Sequence, residues 1–136
     1  MASALDTARV TIEGRIKTLW EAGEDTPILW PNDPAAPPES GTWIQPTILW
    51  GDGFVQTKNG RNQIIGVLSI NVFGDAGKGT GALNQAADSV RDLANRVEVS
   101  GVRFGVPSGP RPIPSPDTKW VQANVRVPFS VDEIVT

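Results

Sequence analysis

Two proline-rich stretches divide the 136-residue chain and decide where regular structure can form. Residues 24–41 contain five prolines, and residues 107–116 contain five more. Each proline removes a backbone hydrogen-bond donor and restricts the residue before it, so neither stretch can be a continuous helix or strand. Only Ile28-Leu29-Trp30 in the first stretch is typical of a short strand. We therefore expect an extended loop over 24–41 and an extended loop or arm over 106–119.

Residues 4–22 and 81–98 have apolar side chains every three or four positions, which is the period of a helix with one buried face. These positions are Leu5, Ala8, Ile12, Ile16, Leu19 and Trp20 in the first segment and Leu83, Ala86, Val90, Leu93 and Val97 in the second. Asp92 and Arg96 stand four positions apart on the polar side, which favours an ion pair on a helix. The sequence therefore predicts two amphipathic helices.

Residues 63–73 and 120–129 alternate apolar and polar side chains, as a β-strand does. Their apolar faces carry Leu68, Ile70 and Val72, and Val121, Ala123, Val125, Val127 and Phe129; their polar faces carry Ser69 and Asn71, and Trp120, Gln122, Asn124 and Arg126. Residues 42–50 also alternate, and Pro46 among them favours an edge position or a bulge. Residues 102–104 are typical of a further short strand.

The order helix, strands, helix, strands predicts an α+β fold: a mainly antiparallel sheet with two helices packed on one face. A chain of 136 residues is the size of one domain, and we expect a single domain over residues 1–136. Residues 51–62 are polar and rich in turn formers, so we expect a third extended loop there.

A glycine-rich stretch, FGDAGKGTGAL at residues 73–83, follows a predicted strand and opens a predicted helix. Those are the surroundings of a phosphate-binding loop, but such a loop needs a glycine where this chain has Val72. No second acidic strand end is placed to hold Mg²⁺. The pattern favours a strand-to-helix turn over 74–81, with Thr80 capping the helix. A nucleotide-binding enzyme that uses this loop remains the less favoured alternative.

Two residue types are absent, and their absence excludes several kinds of chemistry. Without cysteine there is no disulfide, thiolate zinc site or cysteine nucleophile, and without histidine the usual general base is missing. We expect no catalytic residue, no metal and no cofactor. The net charge is −3 and the basic residues are scattered, which is not typical of a nucleic-acid-binding surface. No apolar run reaches membrane-spanning length, so we expect a soluble protein made in a cytoplasm.

Five tryptophans and no tyrosine make the aromatic composition unusual. Trp20 falls on the apolar side of the first predicted helix. The other four, Trp30, Trp43, Trp50 and Trp120, lie in or near predicted edge strands and loops. Aromatic residues at such positions often anchor interfaces between proteins.

A series of short motifs runs through residues 10–105. A helix leads to Trp30-Pro31-Asn32, and Pro37-Pro38 and Gly41-Thr42-Trp43-Ile44 follow. Next come the strand GVLSINVF at 66–73, the loop DAGKGTGAL and a helix that contains Ala-Ala-Asp. In order and spacing this series resembles the tail terminator family of tailed phages and prophages. The C-terminal third of the chain lies outside the resemblance.

The resemblance implies a small α+β subunit that closes into a ring, six-fold in the best-known relatives. Such a ring sits on the head-proximal end of the tail tube, stops tube polymerisation and presents a surface to the head connector. The implied partners are further copies of the chain, the tail tube protein and the connector or stopper protein, with DNA passing through without specific binding and no membrane. The implied location is the virion, after assembly in the host cytoplasm.

If this family assignment holds, we expect the residues that contact other chains to lie in loops and near edge strands. They are Asp52, Lys58, Arg61, Trp30, Trp50 and Arg111. Two further alternatives remain open besides the nucleotide-binding enzyme. One is another head–tail neck or completion protein, such as a stopper; the other is a binding module whose proline-rich residues 107–116 recruit a host domain.

Overall fold

The structure is a computed structural model, and it describes residues 4–23, 28–30, 42–55, 61–75, 81–113 and 120–134. In these residues it contains two helices and six strands: α1 (Ala4–Gly23), β1 (Trp43–Val55), β2 (Arg61–Asp75), α2 (Gly81–Leu93), β3 (Glu98–Val99), β4 (Val102–Phe104), β5 (Ser108–Ile113) and β6 (Trp120–Ile134). All the strands belong to one antiparallel sheet. The prediction of an α+β fold with a mainly antiparallel sheet is confirmed.

The longest strands form the centre of the sheet. Its order is β1-β2-β6-β4-β3, and β6 pairs with β2 from Asp75↔Trp120 to Arg61↔Ile134. The other side of β6 is shared, since β4 pairs with residues 129–131 and β5 pairs with residues 122–126. Strand β1 is an edge strand, which confirms the edge position expected from Pro46. Trp120, by contrast, begins a central strand and does not lie at an edge.

The core lies between the sheet and the two helices. Register pairs on β2 and β6 place Leu68 beside Val127, Ile70 beside Val125 and Val72 beside Ala123, all on the helix side. The largest fully buried side chains are Trp20, Ile12, Ile16, Ile44, Leu68, Ile70, Val72, Val90, Val102, Val125 and Val127. Most positions of the predicted helix stripes are therefore buried, but Leu5, in the first turn of α1, is exposed.

Helix α2 is shorter than predicted, since it ends at Leu93 and not at residue 98. Arg96 has a φ of 57°, which a continuing helix cannot contain. Its N–H donates to the carbonyl of Gly105, and the N–H of Phe104 donates to the carbonyl of Val97. The chain therefore turns into the β3–β4 hairpin. The predicted helical spacing of Asp92 and Arg96 is wrong for the same reason.

The loop predicted over 51–62 is wrong at both ends. Strand β1 continues through a bulge between Trp50 and Gly53 as far as Val55, and β2 already begins at Arg61. A β-bulge adds an extra residue to one strand, and the regular strand pairing resumes beyond it. Residues 56–60 lie outside the described residues.

The predicted loop or arm over 106–119 contains a strand, because residues 108–113 form β5 on β6. Prolines are tolerated there because β5 pairs only with β6 among the described strands, which leaves its other edge without a strand partner. A register shift also separates Ser108 from Arg111. In the first proline-rich stretch, the short strand predicted at 28–30 is a single bridge of Ile28 to Ile44. Residues 24–27, 31–41 and 114–119 lie outside the described residues.

Candidate interaction surfaces

The two faces of the sheet differ, since both helices lie on one face and none of the described elements covers the other. This open face is built from alternate residues of β1, β2, β6 and β5. Its central side chains are Gln45, Thr47, Ser69, Asn71, Gln122, Asn124, Arg126, Ser108 and Arg111. A polar sheet face that no described element covers is a candidate surface for a partner.

A hydrogen-bond network centred on Asn124 organises the open face. The side chain is 7% exposed, and its Nδ2 donates to Ser69 Oγ and to Asn71 Oδ1, both at 2.9 Å. Its Oδ1 accepts a hydrogen bond from Arg126 Nε at 3.2 Å. A buried amide needs such partners because leaving it unpaired is costly. Here the network also orients the Arg126 guanidinium.

A cavity of about 700 Å³ lies over this network. It is lined by residues of β2, β5 and β6, including Arg111, Ser108 and Arg126. Arg111 pairs in register with Asn124, and Ser108 pairs with Arg126, so the two arginines are on neighbouring strands. No acidic residue lines the cavity among the residues described. The cavity therefore offers guanidinium, amide and hydroxyl groups, which suit a carboxylate or another anion.

The backbone of β5 is fitted closely against β6 at Gly109. Its φ is 102°, and a Cβ there would lie 2.5 Å from the carbonyl oxygen of Asn124. Only glycine meets both conditions without strain. The carbonyl of Gly109 also accepts a hydrogen bond from Arg91 Nη1 of α2. The wall of the cavity is thus tied to a helix on the other side of the sheet.

An apolar groove of about 680 Å³ lies next to the polar cavity along the central strands and is lined by residues of β1, β2, β4 and β6. Leu49, Trp50 and Ile65 on its rim are 46%, 39% and 41% exposed. The Trp50 ring meets Phe129 edge-on, with ring centroids 5.5 Å apart and an interplanar angle of 84°. Clustered exposed apolar side chains of this size are typical of protein-binding surfaces.

Gly66 makes room for the aromatic floor of this groove. A Cβ at Gly66 would lie 2.5 Å from Phe129 Cζ and 2.8 Å from the carbonyl oxygen of Leu49. The close contact explains why a glycine interrupts an otherwise apolar strand face. The groove therefore depends on a specific packing arrangement of the central strands.

Three charged side chains near the start of α1 pair with one another. Arg9 donates to Asp6 Oδ1 at 2.8 Å and to Glu13 Oε1 at 3.1 Å. The hydrogen bond and the charge of Asp6 raise the pKa of Arg9 above its ordinary value, and the charge of Glu13 adds to this. Such exposed pairs contribute little stability. They do leave this stretch of α1 with few unpaired charges to offer a partner.

Two of the predicted interface anchors are accessible and lie in different cavities. Trp50 lines the apolar groove, and Arg111 lines the polar cavity. Trp30 is half-buried and packs against the helix-side core. Asp52 lies within β1 and Arg61 begins β2, but their side chains are not among those described, and Lys58 lies outside the described residues.

Trp43 and Trp120 are buried within the subunit and do not serve as exposed anchors. Trp43 stacks on Phe73 with centroids 3.9 Å apart, and it meets Trp120 edge-on at 5.7 Å. Leu29 completes this small second core. Among the described residues the indole N–H of Trp43 has no hydrogen-bond acceptor. These aromatic residues attach residues 28–30 to the end of the sheet.

The sequence did not indicate that Ser69, Asn71, Asn124 and Arg126 form a group. The strand alternation placed each of them on a polar face. Nothing in the sequence paired residue 71 with residue 124, since that register depends on how two distant strands meet. The predicted glycine turn is only partly described: Gly74 and Asp75 belong to β2 and Gly81 begins α2, while residues 76–80, with Lys78 and Thr80, lie outside the described residues.

The described surfaces carry polar and apolar groups that can bind other molecules. The described residues contain no cluster of three or more histidine, cysteine, aspartate or glutamate side chains that could hold a metal ion. None of the helices in the described part of the chain is long and apolar enough to cross a membrane. A two-layer subunit with a polar cavity and a separate apolar groove is suited to contacting other proteins.

Comparison with known proteins identifies the family. The family model of phage tail terminator proteins matches residues 8–129, which include most of α1 and most of β6. The chain therefore belongs to the phage tail terminator family, and it is a structural protein of a phage tail. The resemblance noted from the motifs at 10–105 is confirmed.

The other comparisons add the fold. A search of curated protein sequences found no match. One solved structure aligns with 97% of this chain and 97% of its own chain, with a TM-score of 0.72 and 19% sequence identity. At this identity the likeness shows the fold alone.

Proposed function

We propose that this chain forms a ring at the head-proximal end of the phage tail tube. The ring stops tube polymerisation and provides the surface to which the head connector attaches. The observation that carries this proposal is the family match over residues 8–129. The proposed partners are further copies of the chain, six to a ring, together with the tail tube protein and the connector or stopper protein.

The character of the surfaces supports this role. A ring subunit needs two different surfaces that bind each other, because its contacts run head to tail around the ring. It needs further surfaces for the tube and for the connector. The polar cavity with Arg111 and the apolar groove with Trp50 are two candidate contact surfaces, and their chemistry differs. DNA passes through the ring without specific binding, and the chain acts in the virion as a structural component and not as an enzyme.

The function is tested by interrupting this gene in its phage and imaging the lysate by electron microscopy. We expect filled heads beside detached, over-long tail tubes, because nothing stops polymerisation. Supplying the intact gene on a plasmid restores tails of normal length. Free tails of normal length would instead indicate a joining role elsewhere in the neck, such as that of a stopper. Infectious particles from the interrupted phage would contradict the proposal altogether.

The proposed contact residues Asp52, Lys58 and Arg61 are tested in the same system. Reversing these charges is expected to block assembly while leaving the melting temperature nearly unchanged, because exposed charges contribute little to stability. Lys17→Glu, on the exposed surface of α1, serves as the matched charge reversal. A melting temperature lowered by many degrees in these variants would place the side chains inside the subunit and not at a contact.

A further inference from the structure

The exposed side of α2 is acidic. Its solvent-facing side chains are Asn84, Gln85, Asp88 and Asp92, and the exposed Asn95 and Arg96 follow just beyond the helix. Arg91 does not balance them, because it is half-buried and donates to the carbonyl of Gly109. The outward surface of this helix therefore presents two carboxylates and several amides.

The positions of these two carboxylates are unfavourable for the stability of their own helix. Asp88 and Asp92 stand four positions apart, where like charges repel. Asp92 also lies one residue before the end of α2, where the negative end of the helix dipole disfavours an acid. In α1, by contrast, Arg9 lies between Asp6 and Glu13 and pairs with both. Neither Asp88 nor Asp92 forms an ion pair within the described part of the chain.

The open face of the sheet has the opposite arrangement. Arg111 and Arg126 project from neighbouring strands into one cavity, which again brings like charges together. Neither arginine forms an ion pair with an acid of the described residues. Asn124 Oδ1 holds Arg126 Nε at 3.2 Å, so this guanidinium is oriented before any partner arrives. Positions that break local rules in this way are often functional.

We propose that Asp88 and Asp92 of one copy bind Arg111 and Arg126 of the neighbouring copy. This inference rests on the proposed ring and names the contact that closes it. The acidic helix lies on one side of the subunit and the basic cavity lies on the other, so the contact is heterologous, as a ring requires. Arginine and carboxylate groups form directional paired hydrogen bonds. The contact also relieves the like-charge repulsion on both surfaces.

The charge pattern favours a second copy over other occupants of the cavity. A nucleic-acid backbone would engage Arg111 and Arg126 but would leave the two acids of α2 without a role. A copy of this chain accounts for both pairs with a single contact. Contact of the arginines with DNA is therefore an outcome that the experiment distinguishes.

The experiment uses two charge-reversal variants in the phage with the interrupted gene. One variant carries Asp88→Arg and Asp92→Arg, and the other carries Arg111→Glu and Arg126→Glu. Supplied alone, each presents two like-charged surfaces, and we expect phage titre to fall at least about 100-fold with over-long tails. Supplied together they restore titre and tail length, because the two chains alternate around the ring. Alternation closes only in rings with an even number of subunits, as the proposed six-fold ring has.

Controls separate folding from contact. Circular dichroism of each purified variant confirms that it folds, and Lys17→Glu on α1 is the matched reversal of an exposed charge away from both surfaces. Since Arg126→Glu disturbs the bond to Asn124, the single variants Asp88→Arg and Arg111→Glu form a second pair for the same test. Arg111 has no hydrogen bond to lose among the described side chains, so a folded variant with a smaller fall in titre and the same rescue is expected.

Three results would overturn the inference. Normal tails from either variant alone would show that its charges are not at a contact between copies. If only the arginine variant fails and the aspartate variant gives normal tails, the cavity would be assigned to another anion such as DNA. Loss in both folded variants without rescue on mixing would place the two pairs in separate contacts. In each case the intact gene still restores tail length, so the proposed function itself stands; failure of the intact gene to do so would count against that function instead.

Discussion

The helix side and the open side of the sheet are built from the same strands but have different roles. On the helix side, β2 and β6 contribute Leu68, Ile70 and Val125, which are fully buried under two helices. Moving one residue along each strand reaches Asn71 and Asn124 on the open side, within a hydrogen-bonded network. The helix side supplies the burial that makes the subunit fold. The open side offers oriented polar groups that are better suited to recognition.

The largest expected effect of a single substitution is on the helix side. Ile70→Ala should lower the free energy of unfolding by about 3 to 4 kcal/mol, because it removes fully buried methyl groups and leaves a cavity. Thr47→Ala, on the open side of the neighbouring strand, should change it by less than about 0.5 kcal/mol. Urea denaturation measures both. Equal losses would contradict the division of roles between the two faces.

The next largest effect is expected at Gly66, beneath the apolar groove. Gly66→Ala places a Cβ where Phe129 Cζ lies 2.5 Å away, so the ring must move. We expect a loss of about 2 kcal/mol from this overpacking. Gly14→Ala in α1 is the matched control, since open space surrounds that position and alanine favours the helix by about 0.5 to 1 kcal/mol. Opposite signs in thermal melts are the expected result, and a stable Gly66→Ala protein would count against the packing described.

Asn124→Ala tests the hydrogen-bond network on the open side of the sheet. It leaves Ser69, Asn71 and Arg126 without their central partner, and we expect a loss of about 1 to 2 kcal/mol. Gln122→Ala, on the same face of the same strand, removes no hydrogen bond between described residues and should cost less. Chemical denaturation of the two variants gives the difference. If both behave alike, the network does not organise this face.

The smallest effect on stability is expected on the rim of the apolar groove. Leu49→Lys should change the free energy of unfolding by less than about 0.5 kcal/mol, because the side chain is already exposed. The same change should lower phage titre if the groove receives another protein. Val10→Lys, at an exposed apolar position on α1, should leave both stability and titre unchanged. Equal titres from the two variants would remove the groove from the list of contact surfaces.

Local patterns in the sequence were sufficient for the elements that form the helix side. The three- and four-residue spacing from Ala8 to Trp20 predicted α1, and the alternation at residues 63–73 and 120–129 predicted the two central strands. These patterns are reliable because burial on one face imposes the period directly. The predicted stripe continued to Val97, but a positive φ at Arg96 ends the regular geometry earlier, and no apolar pattern encodes that turn.

The open side was harder to predict because it depends on strand register and on prolines that an edge strand can accommodate. Residues 108–113 looked like a loop because of their prolines, yet an edge strand needs few of its own backbone donors. Without β5 there is no cavity, and Arg111 has no relation to Asn124 or Arg126. The sequence could select Arg111 as an exposed charge. Its place opposite Asn124 follows only from the pairing of β5 with β6.

The proposed ring is tested most directly by a cryo-electron microscopy reconstruction of the neck of the intact virion. We expect a closed ring of this chain between the last ring of the tail tube and the head connector. Within that ring, α2 of each copy should face the open side of its neighbour's sheet. Absence of the chain from that position, or its presence along the whole length of the tube, would contradict the account.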